Sequence, residues 1–258
     1  MADEIDYKII GNEMQLVEIE LDTDEAVRAE AGAMMYMGPG IKMETSTGGG
    51  LLKGFKRALT GESFFITSFI HQAAGKGYVA FGAPYPGKII ALDLGQFGGS
   101  FLCQKDSFLC AANGIDIEIA LTRKIGAGLF GGEGFILQRL KGDGLAFVHA
   151  GGTIVEKDLA PGETIRVDTG CITAFEERVT YDIQWAGGFK NALFGGEGLV
   201  LASLTGPGKV YLQSLPFSRL ADRIVAASRY HTGSQKEESS GLAGIGSDAL
   251  GSLLGGDR

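Results

Sequence analysis

The chain has 258 residues, with 31 acidic and 23 basic side chains and a formal net charge of −8. That balance, without a basic stripe, argues against a nucleic-acid surface, and no apolar run reaches the roughly 18 residues of a membrane-spanning helix. Glycine contributes 42 residues, about twice the usual share of ~7%. It follows no collagen period and sits among β-forming neighbours, so its expected use is in tight turns.

Residues 5–21 alternate loosely around Gly11-Asn12, with Ile5, Tyr7 and Ile9 before it and Met14, Leu16, Val17, Ile19 and Leu21 after it. This predicts a hairpin. Strand-like runs follow at Ala33–Met37, Phe64–Ile70, Tyr78–Phe81, Ile89–Leu94, Phe108–Ala111, Ile115–Ala120, Phe135–Leu140 and Ala146–Ala150. They continue at Thr164–Val167, Ile172–Phe175, Val179–Trp185, Leu199–Leu204 and Val210–Leu215. Short strands bounded by Gly, Pro, Asn and Asp predict an all-β sandwich or barrel. From Pro216 the pattern changes. Ser218 can cap a helix, and Leu220, Ala221, Ile224, Val225 and Ala227 give it an apolar face over 217–230. The Gly- and Ser-rich segment 231–258 is expected to be a flexible tail.

One phrase recurs. Phe130-Gly131-Gly132-Glu133-Gly134 returns 64 residues later as Phe194-Gly195-Gly196-Glu197-Gly198. Gly142-Asp143-Gly144 returns at the same shift as Gly206-Pro207-Gly208, and Gly75-Lys76-Gly77 matches both. A more diverged copy leads through Gly54-Phe55-Lys56-Arg57-Ala58-Leu59 to Gly61-Glu62. Pro86–Asp93 is also echoed by Pro161–Asp168. An internal duplication of this kind constrains the architecture more than local propensity does. The expected fold is all-β: tandem β-sandwich or double-stranded β-helix-like units with a pseudo-threefold internal repeat, plus one C-terminal helix. The expected units are 1–95 with a loop excursion at 38–62, then 96–168, 169–216, the helix 217–230 and the tail 231–258.

Chemistry-bearing motifs are few. Gly126-Ala127-Gly128-Leu129-Phe130-Gly131 has dinucleotide-loop spacing, but a strand rather than a helix is expected to follow it, so it reads as part of a β repeat. Glu62, Glu133 and Glu197 recur in equivalent loops. A carboxylate beside exposed backbone N–H groups is suited to anchoring its own loop. His71, His149 and His231 are scattered, and Cys103 and Cys110 lack a metal-ligand spacing, so no metal site or catalytic group is expected. Three cysteines behind an acidic amino terminus, which resembles neither a signal nor a transit peptide, suggest reduced thiols in a cytoplasm.

The excursion carries Leu51, Leu52, Phe55 and Leu59 at helical spacing, flanked by Lys53, Lys56 and Arg57. A short basic amphipathic turn can lie on an anionic membrane or fill a partner's groove. The competing use is burial at a sandwich end or a subunit interface. Leu51, Leu52, Phe55, Lys56 and Leu59 are therefore the candidate contact residues.

The repeated Phe-Gly-Gly-Glu-Gly phrase, the Gly-x-Gly turns, Val167-Asp168-Thr169-Gly170 leading to Ala174-Phe175, and the closing Leu212-Gln213-Ser214-Leu215-Pro216 form a combination. Over about residues 5–230 the chain resembles bacterial members of the altered-inheritance-of-mitochondria 24 family. The resemblance implies sandwich units like those of the trp RNA-binding attenuation protein, and a homotrimer. Mitochondrial relatives are linked to the inner membrane and its cristae-organising machinery. The family brings no established catalytic residues and no cofactor.

The combined expectation is a non-enzymatic scaffold or interaction protein, cytoplasmic or peripheral to the inner membrane. Its expected partners are further copies of itself and a protein or membrane surface, not nucleic acid. The alternative is a small-ligand binding protein or cryptic enzyme with a site between units near Glu133 and Glu197.

Overall fold

The computed structural model describes residues 1–30, 32–46, 66–123, 135–185 and 200–228. The first strands are β1 (Asp6–Ile10), β2 (Leu16–Leu21), β3 (Ala26–Glu30), β4 (Met34–Met37), β5 (Ile41–Ser46), β6 (Ile66–His71) and β7 (Gly77–Gly82). Next come β8 (Gly87–Asp93), β9 (Ser100–Gln104), β10 (Phe108–Ala112), β11 (Asp116–Arg123), β12 (Phe135–Lys141) and β13 (Leu145–Gly151). The last are β14 (Ile154–Leu159), β15 (Thr164–Asp168), β16 (Ile172–Glu176), β17 (Thr180–Trp185), β18 (Val200–Thr205) and β19 (Gly208–Gln213). Among the described residues one α-helix, α1, covers 217–228. The protein is all-β with one helix near its C-terminal end, as the turn-punctuated alternation predicts.

The strands form four antiparallel sheets. Their orders are β1-β2-β7-β4, β5-β6-β3-β10-β13-β8, β11-β12-β9-β16-β19-β14 and β15-β18-β17. Adding six to each strand number of the second sheet reproduces the third. The same shift carries β4-β7-β2 onto β10-β13-β8, and β9-β12-β11 onto β15-β18-β17. Each six-stranded sheet is thus two three-stranded halves joined along one seam, β3 to β10 in one and β9 to β16 in the other.

Even the irregularities coincide. The register slips once between Met34 and Tyr36 in β4, between Phe108 and Cys110 in β10, and between Ile172 and Ala174 in β16. A one-residue bulge leaves Met35, Leu109 or Thr173 as the extra residue in these equivalent strands. The Gly-x-Gly turns join β6 to β7, β12 to β13 and β18 to β19. Gly142 shows why glycine is needed there. Its φ is +156°, and a Cβ would stand 2.5 Å from Ile115 Cδ1.

The sheets stack through alternating side chains. Phe69 of β6 meets Phe81 of β7 edge-on at 5.2 Å between centroids, and Tyr7 of β1 meets Phe147 of β13 at 4.9 Å. Sheet three is buried on both faces at its centre, along β9 and β16. Phe101 and Cys103 join one core with Val17, Leu21, Phe81 and Phe147, while Leu102 joins a second with Phe175, Ile183 and Leu204.

Four strands go beyond the sequence expectation. β9 has only five residues, and β3 and β14 mix charged residues with apolar ones, which weakens the alternation. β5 lies inside the stretch read as the loop excursion 38–62; Ile41 pairs with His71 and Ser46 with Ile66. The sequence echo of Pro86–Asp93 with Pro161–Asp168 links β8 to β15, which are not six strands apart. Both are Pro-Gly turns feeding an alternating strand, a local solution used twice. The six-strand shift also places β15 with the third group of strands rather than at the end of the second. In α1, Ile224 is 61% and Val225 48% exposed, while Leu220 and Ala221 are half-buried.

Candidate functional site

The residues singled out from the sequence, Leu51, Leu52, Phe55, Lys56, Leu59, Glu62, Glu133 and Glu197, lie outside the described residues. The strands that carry them are described. The segments 47–65, 124–134 and 186–199 connect β5 to β6, β11 to β12 and β17 to β18. These three hairpins are equivalent under the six-strand shift. In each, one strand is a sheet edge: β5, β11 and β17. The recurring Glu and the apolar residues before it therefore fall, in sequence, between the two strands of one repeated edge pair.

A second feature is the β4 edge of the first sheet, with which no other strand pairs among the described residues. β4 reads Met-Met-Tyr-Met and carries no charge. Met35 is 56% exposed, Tyr36 39% and Met37 39%. The Tyr36 hydroxyl donates to Glu18 Oε2 at 2.7 Å, and its ring meets Tyr78 edge-on at 6.3 Å. An exposed apolar edge strand is a liability unless something covers it.

The interior holds a set of titratable groups near the β3–β10 seam. Burial, reinforced by the nearby Asp106 carboxylate, pushes Glu30 at the end of β3 up to about 7. Burial raises Tyr85 to about 12, with Asp106 and Glu30 adding to it. His149 in β13 packs edge-on against Tyr85 at 4.4 Å, and burial lowers it to about 4. Cys103 and Cys110 are buried and free, and burial pushes both thiols up, so they remain protonated and unreactive at neutral pH. Sequence spacing could not assemble this set, because its members come from different strands and a short 3-10 turn at Lys105–Ser107. The set can exchange a proton near neutrality, at Glu30.

A pocket of about 470 Å3 lies at the end of the β9–β16 seam, lined by Gln96, Phe97, Ser100, Glu176, Glu177 and Arg178. Its charges are paired internally. Arg178 Nε contacts Glu176 Oε2 at 2.6 Å, and Arg139 Nε contacts Glu177 Oε1 at 2.8 Å. Glu176 also accepts from Lys209 N at 2.8 Å. Among the described residues no group of three or more His, Cys, Asp and Glu side chains is placed to hold a metal ion. Also among them, no helix is long and apolar enough to cross a membrane.

The closing sequence phrase has a structural job. Gln213 is buried, accepts from Gly151 N at 2.8 Å and donates to the Gly170 carbonyl at 2.9 Å. Asp168 accepts from Gly170 N at 2.9 Å and so caps the 3-10 turn between β15 and β16.

These features define a class of protein: antiparallel β-sheets joined through shared seams, in which the same strand order recurs at a six-strand shift. The chain belongs to the Mitochondrial biogenesis AIM24 family, whose profile matches residues 7–215. It is 30% identical over 217 residues to an uncharacterised protein of Streptococcus pyogenes serotype M6, covering 81% of this chain and 85% of that one. A Streptococcus pyogenes protein with an X-ray crystal structure superposes with a TM-score of 0.72 at 27% identity, over 88% of this chain and 100% of that one.

Proposed function

We propose that the protein is a non-enzymatic scaffold that works by surface contact from the cytoplasmic side of the inner membrane. The observation that carries this reading is the equivalence of the three edge hairpins. One Gly-rich sequence phrase falls between the same two paired strands three times, which suits a repeated contact better than a single reaction centre. The six-strand shift supports reading the sandwiches as copies of one duplicated unit of the trp RNA-binding attenuation protein type. The first copy departs from the others by carrying Leu51, Leu52, Phe55, Lys56 and Leu59, an apolar and basic set suited to an anionic lipid surface. Glu62, Glu133 and Glu197 then serve as loop anchors.

The test is sedimentation with vesicles containing anionic lipid, comparing the wild type with Leu52→Asp plus Phe55→Asp. The expected result is salt-sensitive binding by the wild type, lost in the double variant at an unchanged melting temperature. Equal sedimentation of both proteins would remove the loop as the contact surface.

A further inference from the structure

The two internal seams end in equivalent junctions that are filled differently. Ala112 faces Val27 at the end of one seam, and Glu176 faces Phe101 at the end of the other. Ala26 therefore corresponds to Ser100, and the turn Ala112-Asn113-Gly114 to Glu176-Glu177-Arg178. The turns close alike, Ile115 N donating to the Ala112 carbonyl at 3.2 Å and Val179 N to the Glu176 carbonyl at 3.0 Å. At the β3–β10 junction the chain's own first residues lie across the turn. Asp3 N donates to the Asn113 carbonyl at 2.9 Å, and Asp3 Oδ2 accepts from Ala26 N at 2.9 Å. Ala2 N donates to Asp143 Oδ1 at 2.7 Å, and Ile5 is buried. This backbone leaves no room for side chains beneath it. A Cβ on Gly114 would stand 2.8 Å from Ala2 Cα, and one on Gly144 2.6 Å from Ala2 Cβ.

At the β9–β16 junction the corresponding place holds the pocket of about 470 Å3 lined by Gln96, Phe97, Ser100, Glu176, Glu177 and Arg178. A Cβ on Gly208, the counterpart of Gly144, would first meet Val179 Cγ2, Arg178 Cγ and Glu176 Cβ, the side chains of the neighbouring turn rather than a second segment. One wall is held in place: Gln96 donates to Asp93 Oδ2 at 2.7 Å, and Phe97 packs edge-on against Phe101 at 5.1 Å. Both carboxylates are already paired. Glu176 accepts from Arg178 and from Lys209 N, and the Ser100 hydroxyl and the Arg139 guanidinium hold the Glu177 carboxyl below the usual carboxylate range. Arg178 is the cation of the lining, with a side chain 64% exposed. Its bonds to Glu176 use Nε and Nη2 of a group with five donors. What the pocket offers a ligand is therefore a cationic donor, where its counterpart offers filled space.

We propose that this pocket binds an extended acidic peptide segment of a partner protein, laid across the Glu176–Arg178 turn as residues 2–5 are laid across its counterpart. A backbone N–H of the partner donates to the Glu177 carbonyl, as Asp3 N does to the Asn113 carbonyl. The partner's carboxylate takes the place of the Asp3 side chain, over the start of β9 and within reach of Arg178. Phe97 supplies an apolar wall for a neighbouring side chain. The pocket volume falls in the range of ligand clefts, about 300–1,000 Å3. The site does not include the Gly-rich loops, so it is independent of what those loops touch.

The probe is the peptide Ala-Asp-Glu-Ile-Asp, the sequence of residues 2–6, acetylated and carrying a fluorophore at its C-terminal end. Its binding to the full-length protein is followed by fluorescence anisotropy. The expected result is saturable binding, weakened about tenfold or more by Arg178→Ala, and equally by Asn in place of the peptide's first Asp. The melting temperature reports whether Arg178→Ala is folded, and the altered peptide tests the same contact on the wild-type chain. Exchange of the peptide into the β3–β10 junction would not respond to Arg178, so binding that survives Arg178→Ala would overturn the proposal. So would equal binding of the two peptides, or no saturation up to about 1 mM, including the case of a pocket already filled by another segment of the same chain. The Leu52→Asp plus Phe55→Asp variant is expected to bind the peptide as the wild type does, so a failure of the lipid reading leaves this result untouched.

Discussion

Glu30 and His149 titrate in opposite senses from two strands of the same sheet. Glu30 has its carboxyl raised from 4.5 to about 7. The stability this contributes is complete below pH 4.5 and is lost as pH rises through 7. Replacing it by Gln is expected to raise the unfolding free energy at pH 8 by about 2 kcal/mol, the partial exposure of the group reducing the full linkage value. The gain should vanish by pH 4.5, as measured by urea titrations across that window. His149 has its imidazole lowered from 6.5 to about 4, so its contribution is complete above pH 6.5 and lost as pH falls through 4. His149→Phe should flatten the acid limb of the same profile. Gln213 tests a third kind of group. Gln213→Leu strands the Gly151 N–H and the Gly170 carbonyl in the interior, at an expected cost of about 2–4 kcal/mol. The sequence marked Gln213 as part of a signature phrase but could not show why. Its two partners lie 62 and 43 residues away in the chain.

At the scale of elements, hairpins and turns were legible in the sequence because they are local. The β1–β2 hairpin and all three Gly-x-Gly turns fall where alternation and glycine pairs place them. The seam strands β3 and β9 were not read, because nothing local marks them. Ala26–Glu30 holds two charges and no bulky β-branched pair, and becomes a strand because β6 and β10 flank it. Its burial is a consequence of the sheet. For α1 the period was legible but its packing was not. The strands group as one unit through Pro216, and residues from Phe217 onward as another. Truncation after Pro216 is therefore expected to leave the melting temperature within about 3 °C of the full chain by differential scanning calorimetry, a shift worth under 1 kcal/mol.

Across the whole molecule the sheets are not separable. The larger core runs from Val17 and Leu21 of the first sheet through Phe69 and Phe147 of the second to Phe101 and Tyr211 of the third. Phe101→Ala in β9 should cost about 3–5 kcal/mol and lower a single cooperative transition rather than split off one sandwich. Of the candidate site, the sequence supplied the recurring Glu, the apolar loop residues and the family resemblance. The structure added the equivalence of the strand pairs that flank them, the group of titratable side chains around Glu30, and the edge positions of β4 and β15 among the described residues. By itself the sequence determined the β class, the turns, the C-terminal helix and the 64-residue recurrence, all properties of short stretches of chain read one at a time. Only the tertiary structure decided which half-sheets join, since backbone hydrogen bonding between strands far apart in sequence leaves no mark on either strand alone. It also decided that Met35, Tyr36 and Met37, equivalent to packed residues of β10 and β16, are exposed, because burial depends on the neighbouring strand and among the described residues β4 has one on its β7 side alone.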